Sequence, residues 1–171
     1  PENYNVPEGS YSSDPSDPAS RVTEMKQMVK GLHENDIRVI MDVVYNHVYN
    51  AANHSFNKTV PGYYFRYDDN GSLVNNSGCG NDTASERKMM RKYIVDSVTY
   101  WAKNYNVDGF RFDLMGLIDT ETMKEVRAAL DEIDPSIIIL GEGWDMNTTM
   151  DEGEMTIQPN AYQVASDGTN N

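Results

Sequence analysis

The sequence Val-Asp-Gly-Phe-Arg-Phe-Asp at residues 107–113 predicts a buried β-strand that ends on a carboxylate. Two other stretches have the same form: Arg-Val-Ile-Met-Asp-Val-Val-Tyr-Asn-His at residues 38–47, and Ile-Ile-Ile-Leu-Gly-Glu-Gly-Trp at residues 137–144. Each brings acidic residues to the end of an apolar run, with a His, an Arg or a Trp nearby. Because an ionised carboxylate is costly to bury without a partner, three such strand ends favour an active site over an ordinary core.

The segments between these strands have the pattern of amphipathic helices. Asp17-Pro18 predicts the start of a first helix, with apolar residues at helical spacing to about residue 35. Thr83-Ala-Ser-Glu86 matches a capping box and predicts the start of a second helix. A third is centred on Met123, Val126 and Leu130. Strands that alternate with helices in this way predict a parallel sheet with helical crossovers.

The spacing of the strands indicates the architecture. The second and third predicted strands start 30 residues apart, at Val107 and Ile137, and a (β/α)₈ barrel of about 250 residues allots roughly 31 to each unit. Residues 48–82, rich in Asn, Gly, Asp and Tyr, separate the first strand from the second helix. We therefore predict an α/β fold: a partial (β/α)₈ TIM barrel of about three parallel strands. Residues 1–171 would form part of one catalytic domain, with 48–82 as an irregular insertion loop after the first strand.

The composition excludes several classes of partner. With 27 acidic and 14 basic residues, the formal net charge is −13, so the surface repels phosphate backbones and we expect no nucleic-acid partner. No apolar stretch approaches the roughly 18 residues of a membrane span, so we expect no membrane partner. The single cysteine, Cys79, excludes an internal disulfide and a Cys-based zinc site. A neutral ligand such as a sugar would not be repelled.

Asp113 and Glu142 are the predicted catalytic pair. Both follow predicted strands, whose carboxyl ends converge on one face of a parallel barrel. Two carboxylates of different roles fit glycoside hydrolysis, where one attacks the anomeric carbon and the other donates a proton to the leaving oxygen. A strand-end Asp can also cap the next helix. Asp42 lies near the end of the remaining predicted strand, however, and three acidic strand ends in three strands make coincidence less plausible. Arg111 lies two residues before Asp113, on the same face of the strand, and either keeps Asp113 ionised or forms a structural ion pair with it.

The remaining candidates suggest contacts to a ligand. His47 follows a strand and could hydrogen-bond a substrate hydroxyl or cap a loop. Trp144 and several tyrosines, among them Tyr45, suggest surfaces on which a sugar could stack, although loop tyrosines also anchor loops. The spacing of Asp42, Asn46 and His47 fits no closed metal motif, so we predict no metal site there.

The three strand-end clusters resemble the first three sequence signatures of the α-amylase superfamily. Their residue sequences are similar to those of type I pullulanases in particular: Asp-Val-Val-Tyr-Asn-His at 42–47, Asp-Gly-Phe-Arg-Phe-Asp-Leu-Met-Gly at 108–116 and Gly-Glu-Gly-Trp at 141–144. The stretches at residues 3–11 and 78–82 agree with the same family. The resemblance covers nearly the whole chain, in order.

This resemblance implies a retaining glycoside hydrolase that cuts α-1,6 branch links in α-glucans such as pullulan, starch and glycogen. It implies that Asp113 is the nucleophile, that Glu142 is the acid/base and that Arg111 orients Asp113. The substrate-binding residues that we predict are Asp42, Tyr45, His47, Arg111 and Trp144. We expect no cofactor for the reaction, and calcium binding elsewhere in the enzyme stays open.

The superfamily's fourth signature, a His-Asp pair, does not occur in the 171 residues. We therefore expect an internal fragment that spans about the third to fifth strands, is inactive alone and needs the remainder of its catalytic domain. The alternatives are another hydrolase or transferase of the superfamily, and a non-catalytic α-glucan-binding module whose sugar binding would not depend on Asp113. An unrelated acidic α/β metal protein is a third. The sequence gives no indication of the compartment.

Overall fold

The computed structural model describes residues 3–146 and 148–164, so both ends of the predicted domain lie outside the described residues. In chain order its strands and α-helices are α1 (Pro18–His33), β1 (Ile40–Val43), β2 (His47–Val48), α2 (Ser55–Thr59), β3 (Asn81–Asp82), α3 (Lys88–Tyr105), β4 (Gly109–Phe112), α4 (Thr120–Asp131) and β5 (Ile138–Gly141). The three predicted helices and three predicted strands are present in the predicted order, and three further short elements, β2, α2 and β3, lie in or at the edge of the predicted loop at 48–82.

The centre of the fold is a parallel sheet in the order β1-β4-β5, as the helix–strand alternation predicts. Its register pairs Asp42 with Arg111, and Phe112 with both Val43 and Gly141. Helices α3 and α4, which follow β1 and β4, pack against each other. In the part of the chain that the structure describes, β1 and β5 each have a strand neighbour on one side only. The sheet is therefore open, and no closed barrel is present in it.

The outer strands are less buried than their apolar sequences predict. In β4, Phe110 and Phe112 are fully buried, but Ile40 in β1 is 40% exposed and Leu140 in β5 is 47% exposed. The prediction of a buried strand is correct for β4 and wrong for β1 and β5, because each outer strand lacks the second neighbour that would cover it.

Helix starts were predicted with mixed success. Helix α1 begins as expected, with the Asp17 side chain accepting from the N–H of Ala19 and Pro18 in the first turn. Helix α3 begins at Lys88, four residues later than the capping-box pattern indicates. Thr83 does not cap it, because the Thr83 hydroxyl donates to the main-chain oxygen of Tyr45 at 2.6 Å. Glu86 forms an ion pair with Arg66 instead.

Residues 48–82 are mostly irregular but are held at both ends. Strands β2 and β3 pair antiparallel, with His47 opposite Asp82, so the segment begins and ends at the same place. Near its middle, the buried Arg66 guanidinium donates to the main-chain oxygen of Leu117 at 2.8 Å and to Glu86 at 2.8 Å. These contacts attach the segment to the loop that follows β4.

Among the residues with described coordinates, none of the helices combines the length and the apolar character that crossing a bilayer requires.

Candidate active site

Arg111, on the central strand, holds three carboxylates at the carboxyl end of the sheet. Its Nη1 lies 3.0 Å from Asp42 Oδ1 and 3.4 Å from Asp113 Oδ1, and its Nη2 lies 2.6 Å from Glu142 Oε1. The hydrogen bond to Asp42 is the main cause that raises the pKa of Arg111, and the charges of Glu142 and Asp113 act in the same direction. The guanidinium is therefore a permanent cation shared by residues from all three strands.

Asp113 directly follows β4 and is fixed from two sides. Its main-chain N–H donates to the oxygen of Val43 at 3.0 Å, which continues the ladder between β4 and β1. The side-chain amide of Asn46 donates to the main-chain oxygen of Asp113 and, at 3.0 Å, to its Oδ2. The carboxylate of Asp113 thus lies between the cation of Arg111 and a neutral donor, and it stays partly accessible to solvent.

Glu142 directly follows β5 and has its own backbone donor. Its main-chain N–H bonds the oxygen of Phe112 at 3.1 Å, and its Oε2 accepts from the N–H of Leu114 at 3.1 Å. Leu114 has a φ of 39°, in the left-handed region that a residue with a Cβ rarely adopts. Such outliers cluster at functional sites, where the surrounding structure holds them in place. Here the turn at Leu114, the residue after Asp113, directs its main-chain N–H to the Glu142 carboxylate.

His47 lies beside this group, in the short strand β2. It is half-buried, and its Nδ1 is hydrogen-bonded to Asn46 Oδ1. Burial lowers the pKa of His47 below its ordinary value of 6.5, and the negative charges of Asp113 and Asp82 oppose this shift only in part. The imidazole is therefore neutral at pH 7 and can exchange hydrogen bonds with a ligand without adding a charge to the site.

The lowered pKa of His47 has a consequence for stability. Below about pH 6.5 the unfolded chain binds a proton at this site more readily than the folded chain does. We therefore expect the free energy of unfolding to fall as the pH drops below 6.5, and His47→Gln to remove that part of the fall. Urea unfolding of both chains between pH 8 and pH 5 measures it. The difference between their free energies of unfolding should be constant above pH 7.5. If both free energies fall with the same slope below pH 6.5, the assignment of the fall to His47 is contradicted.

Two predicted ligand-contacting aromatics have different positions. Tyr45 is 1% exposed, its hydroxyl is hydrogen-bonded to Ser97 Oγ at 2.6 Å and its ring stacks on Tyr4. The prediction that Tyr45 binds substrate is therefore corrected, because its ring belongs to the core. Trp144 is 61% exposed beyond β5. Its main-chain oxygen packs so closely on Gly116 that a Cβ there would lie 1.9 Å away, so Gly116 must be a glycine.

Sequence reasoning missed Asn46 and Leu114 as site residues. Asn46 lies between Tyr45 and His47, both predicted to bind substrate. Only the structure shows that Asn46 is completely buried among polar groups. Leu114 acts through its main chain, so its residue type carries no signal. Nowhere in residues 3–146 and 148–164 do three His, Cys, Asp or Glu side chains form a group that could hold a metal ion.

The geometry brings Asp42, Arg111, Asp113, Glu142 and His47 together, with Trp144 on the chain just beyond Glu142. Asp113 and Glu142 follow neighbouring strands that are in register at Phe112 and Gly141. Both carboxylates contact one guanidinium, and both keep about 30% of their side-chain surface accessible. Such a pair can supply a nucleophile and a proton donor to one bond.

Comparison with known proteins identifies relatives along nearly the whole chain. The pullulanase of Bacillus subtilis is 48% identical over 168 residues, which are 98% of this chain and 23% of that protein. Pullulanase 1, chloroplastic, of Arabidopsis thaliana is 41% identical over 162 residues, 88% of this chain and 17% of that protein. No protein-family model matches the chain.

Solved structures give the same result. The pullulanase from Anoxybacillus sp. LM18-11 complexed with maltotriose has a TM-score of 0.93 at 56% identity, over 95% of this chain and 23% of that one. The pullulanase from Paenibacillus barengoltzii in complex with maltohexaose and alpha-cyclodextrin has a TM-score of 0.94 at 54% identity, over 96% and 25%. The chain spans about a quarter or less of the length of these four proteins. In sequence and in structure, the chain is therefore similar to one segment of these longer pullulanases.

Proposed function

We propose that this chain is the part of a retaining, debranching glycoside hydrolase that carries the nucleophile and the acid/base. In this proposal Asp113 is the nucleophile and Glu142 the acid/base, and the enzyme cuts α-1,6-glucosidic links in pullulan, starch or glycogen. The observation that carries the proposal is the placement of two partly accessible carboxylates after neighbouring strands, on a shared guanidinium. The identity of the chain to pullulanases supports the substrate class.

The proposed reaction has two steps. An oxygen of Asp113 attacks the anomeric carbon while Glu142 donates its proton to the leaving glycosidic oxygen, and a glycosyl ester of Asp113 forms. Glu142 then removes a proton from water, which displaces Asp113 from the sugar and regenerates both carboxyl groups. Arg111 holds the carboxylate of Asp113 in place for the first step. Because Glu142 must carry a proton at that moment, we expect its 2.6 Å contact with Arg111 to break when substrate binds.

The partners follow from the exposed parts of the site and the sheet. The solved relatives are complexes with maltotriose and with maltohexaose and alpha-cyclodextrin, so an α-glucan is the proposed ligand, with His47 and Trp144 in contact with it. The uncovered sides of β1 and β5 support a second partner, the remainder of a (β/α)₈ barrel in which residues 48–82 are an insertion. The proposed chemistry uses only side chains and needs no cofactor.

The experiment compares the 171-residue chain with a graft: the Bacillus subtilis pullulanase whose matching segment is replaced by this chain. Reducing-end release from pullulan is measured for both, and circular dichroism establishes that the graft is folded. We expect no release by the chain alone and release by the graft. Release by the chain alone would refute the need for the remainder of the barrel, and a folded graft without release would refute the hydrolase.

The same graft distinguishes the alternatives. A non-catalytic binding module predicts a graft that retains maltotriose binding and releases nothing. Another hydrolase or transferase of the superfamily predicts that linear amylose is cut or extended in preference to pullulan. Release of maltotriose from pullulan with amylose intact is the outcome that our proposal requires.

A further inference from the structure

The side-chain amide of Asn46 connects His47 to Asp113. Asn46 is completely buried at the junction between β1 and β2. Its Nδ2 contacts the main-chain oxygen of Asp113 at 2.5 Å and Asp113 Oδ2 at 3.0 Å, and its Oδ1 contacts His47 Nδ1. The main-chain oxygen of Asn46 accepts from the N–H of Thr83 at 3.0 Å, which fixes the backbone from the far end of the insertion.

The orientation of this amide follows from the chemistry of its neighbours. A main-chain carbonyl oxygen can only accept hydrogen bonds, so the group of Asn46 that faces the Asp113 carbonyl must be the NH₂. The amide oxygen of Asn46 then faces His47. Because that oxygen can also only accept, His47 Nδ1 must carry the proton of their hydrogen bond.

The protonation state of His47 determines what its second nitrogen offers. Burial lowers the pKa of His47, so at pH 7 and above the ring holds one proton. When that proton is on Nδ1, Nε2 has a lone pair and can only accept.

We infer that Asn46 is a positioning residue that fixes Asp113 and holds His47 as the Nδ1–H tautomer, so that His47 Nε2 accepts a hydrogen bond from a ligand hydroxyl. The ligand part of this inference rests on the proposed function, since it assigns the hydroxyl to a sugar. The tautomer itself is a property of the folded chain and does not depend on activity.

The test reads the tautomer directly in the 171-residue chain. Long-range ¹H–¹⁵N correlation spectra of a histidine-labelled sample at pH 7.5 distinguish protonated from unprotonated ring nitrogens. We expect His47 to be protonated at Nδ1. His54 is an internal reference of the opposite kind, because its Nδ1 accepts from the N–H of Phe56 at 3.2 Å and its proton is therefore on Nε2. If the spectrum shows the expected Nε2–H tautomer at His54 and also an Nε2–H tautomer at His47, the inference is overturned.

A matched pair of variants tests the role of Asn46. Asn46→Leu keeps the approximate shape but removes both the acceptor for His47 and the donor for Asp113. The comparison is Asn76→Leu, since Asn76 also donates its amide to a carboxylate, that of Asp82 at 2.7 Å, without contacting His47. We expect loss of the Nδ1–H tautomer in the first variant only. If Asn46→Leu does not fold, the unmodified spectrum still decides the tautomer.

Activity in the graft separates this inference from the proposed function. We expect Asn46→Leu to lower kcat on pullulan at least tenfold with a smaller change in KM, because a misplaced nucleophile slows the chemical step more than it weakens binding. Asn76→Leu should leave kcat unchanged. The expected tautomer with an inactive graft would refute the hydrolase and leave the tautomer assignment standing, whereas the opposite tautomer in an active graft would refute only the inference.

Discussion

Asp113→Asn is expected to lower kcat of the graft on pullulan by about four orders of magnitude or more, which is the scale of removing a nucleophile. The amide is nearly the same size as the carboxylate and stays within reach of Arg111, but it cannot form the glycosyl ester. We expect little change in the dissociation constant for maltotriose, because the fold and the sugar contacts remain. Steady-state hydrolysis and calorimetric binding are the two measurements.

The matched control for Asp113→Asn is Asp96→Asn. Asp96 lies on α3 with 61% of its side chain exposed, and its ion pair is with Lys92, on the same helix. This variant makes the same change of charge away from the site and should leave kcat unchanged. Mass spectrometry of the graft after reaction with a fluorinated α-glucosyl donor, whose second step is slow, should locate the sugar on Asp113. A sugar on another carboxylate would reassign the nucleophile.

Arg111→Met is the second change with a large expected effect. It removes the cation that contacts Asp42, Asp113 and Glu142 and leaves three carboxylates close together without compensation. We expect kcat of the graft to fall by about 10²–10³-fold, the scale of losing one positioned electrostatic group. Arg111→Lys should recover only part of this, because a Lys ammonium is a point charge and cannot reproduce the two-nitrogen fork that reaches Asp42 and Glu142 at once.

Arg38→Met is the matched control for Arg111. Arg38 precedes β1 at the other end of the sheet and donates to the main-chain oxygen and the hydroxyl of Ser136, with no carboxylate in those contacts. We expect it to keep the kcat of the unmodified graft. Equal losses in Arg38→Met and Arg111→Met would mean that Arg111 contributes to folding rather than to the charge of the site.

The strand ends could be predicted because their information is local. In residues 107–113, the apolar run, the period of two between Arg111 and Asp113 and the terminal carboxylate all lie within one strand, and the structure has β4 in that place. The same reasoning correctly located β1 and β5. It overestimated their burial, because the exposure of an edge strand depends on whether another strand lies beside it, which its own residues do not encode.

The features that were missed depend on contacts between distant residues. Thr83 has the sequence of a helix cap, but its hydroxyl donates to the main-chain oxygen of Tyr45, 38 residues earlier, beside the paired strands β2 and β3. Tyr45 lies in the core, where its hydroxyl is hydrogen-bonded to Ser97, 52 residues away on α3. The resemblance to a family supplied the roles of Asp113 and Glu142, which their positions alone left open.

Under the proposed roles, the register of β4 and β5 bears on the stereochemistry of the product. Asp113 and Glu142 each come one residue after the paired Phe112 and Gly141, and neighbouring strands lie about 4.8 Å apart. That spacing is close to the roughly 5–5.5 Å between carboxyl groups in enzymes that retain the anomeric configuration, and well below the roughly 6.5–9.5 Å of those that invert it. Slipping β5 by one residue would move Glu142 by about 3.3 Å and turn its side chain to the opposite face. Under the proposed roles, the register of β4 and β5 therefore favours the short carboxyl separation that a retained configuration requires.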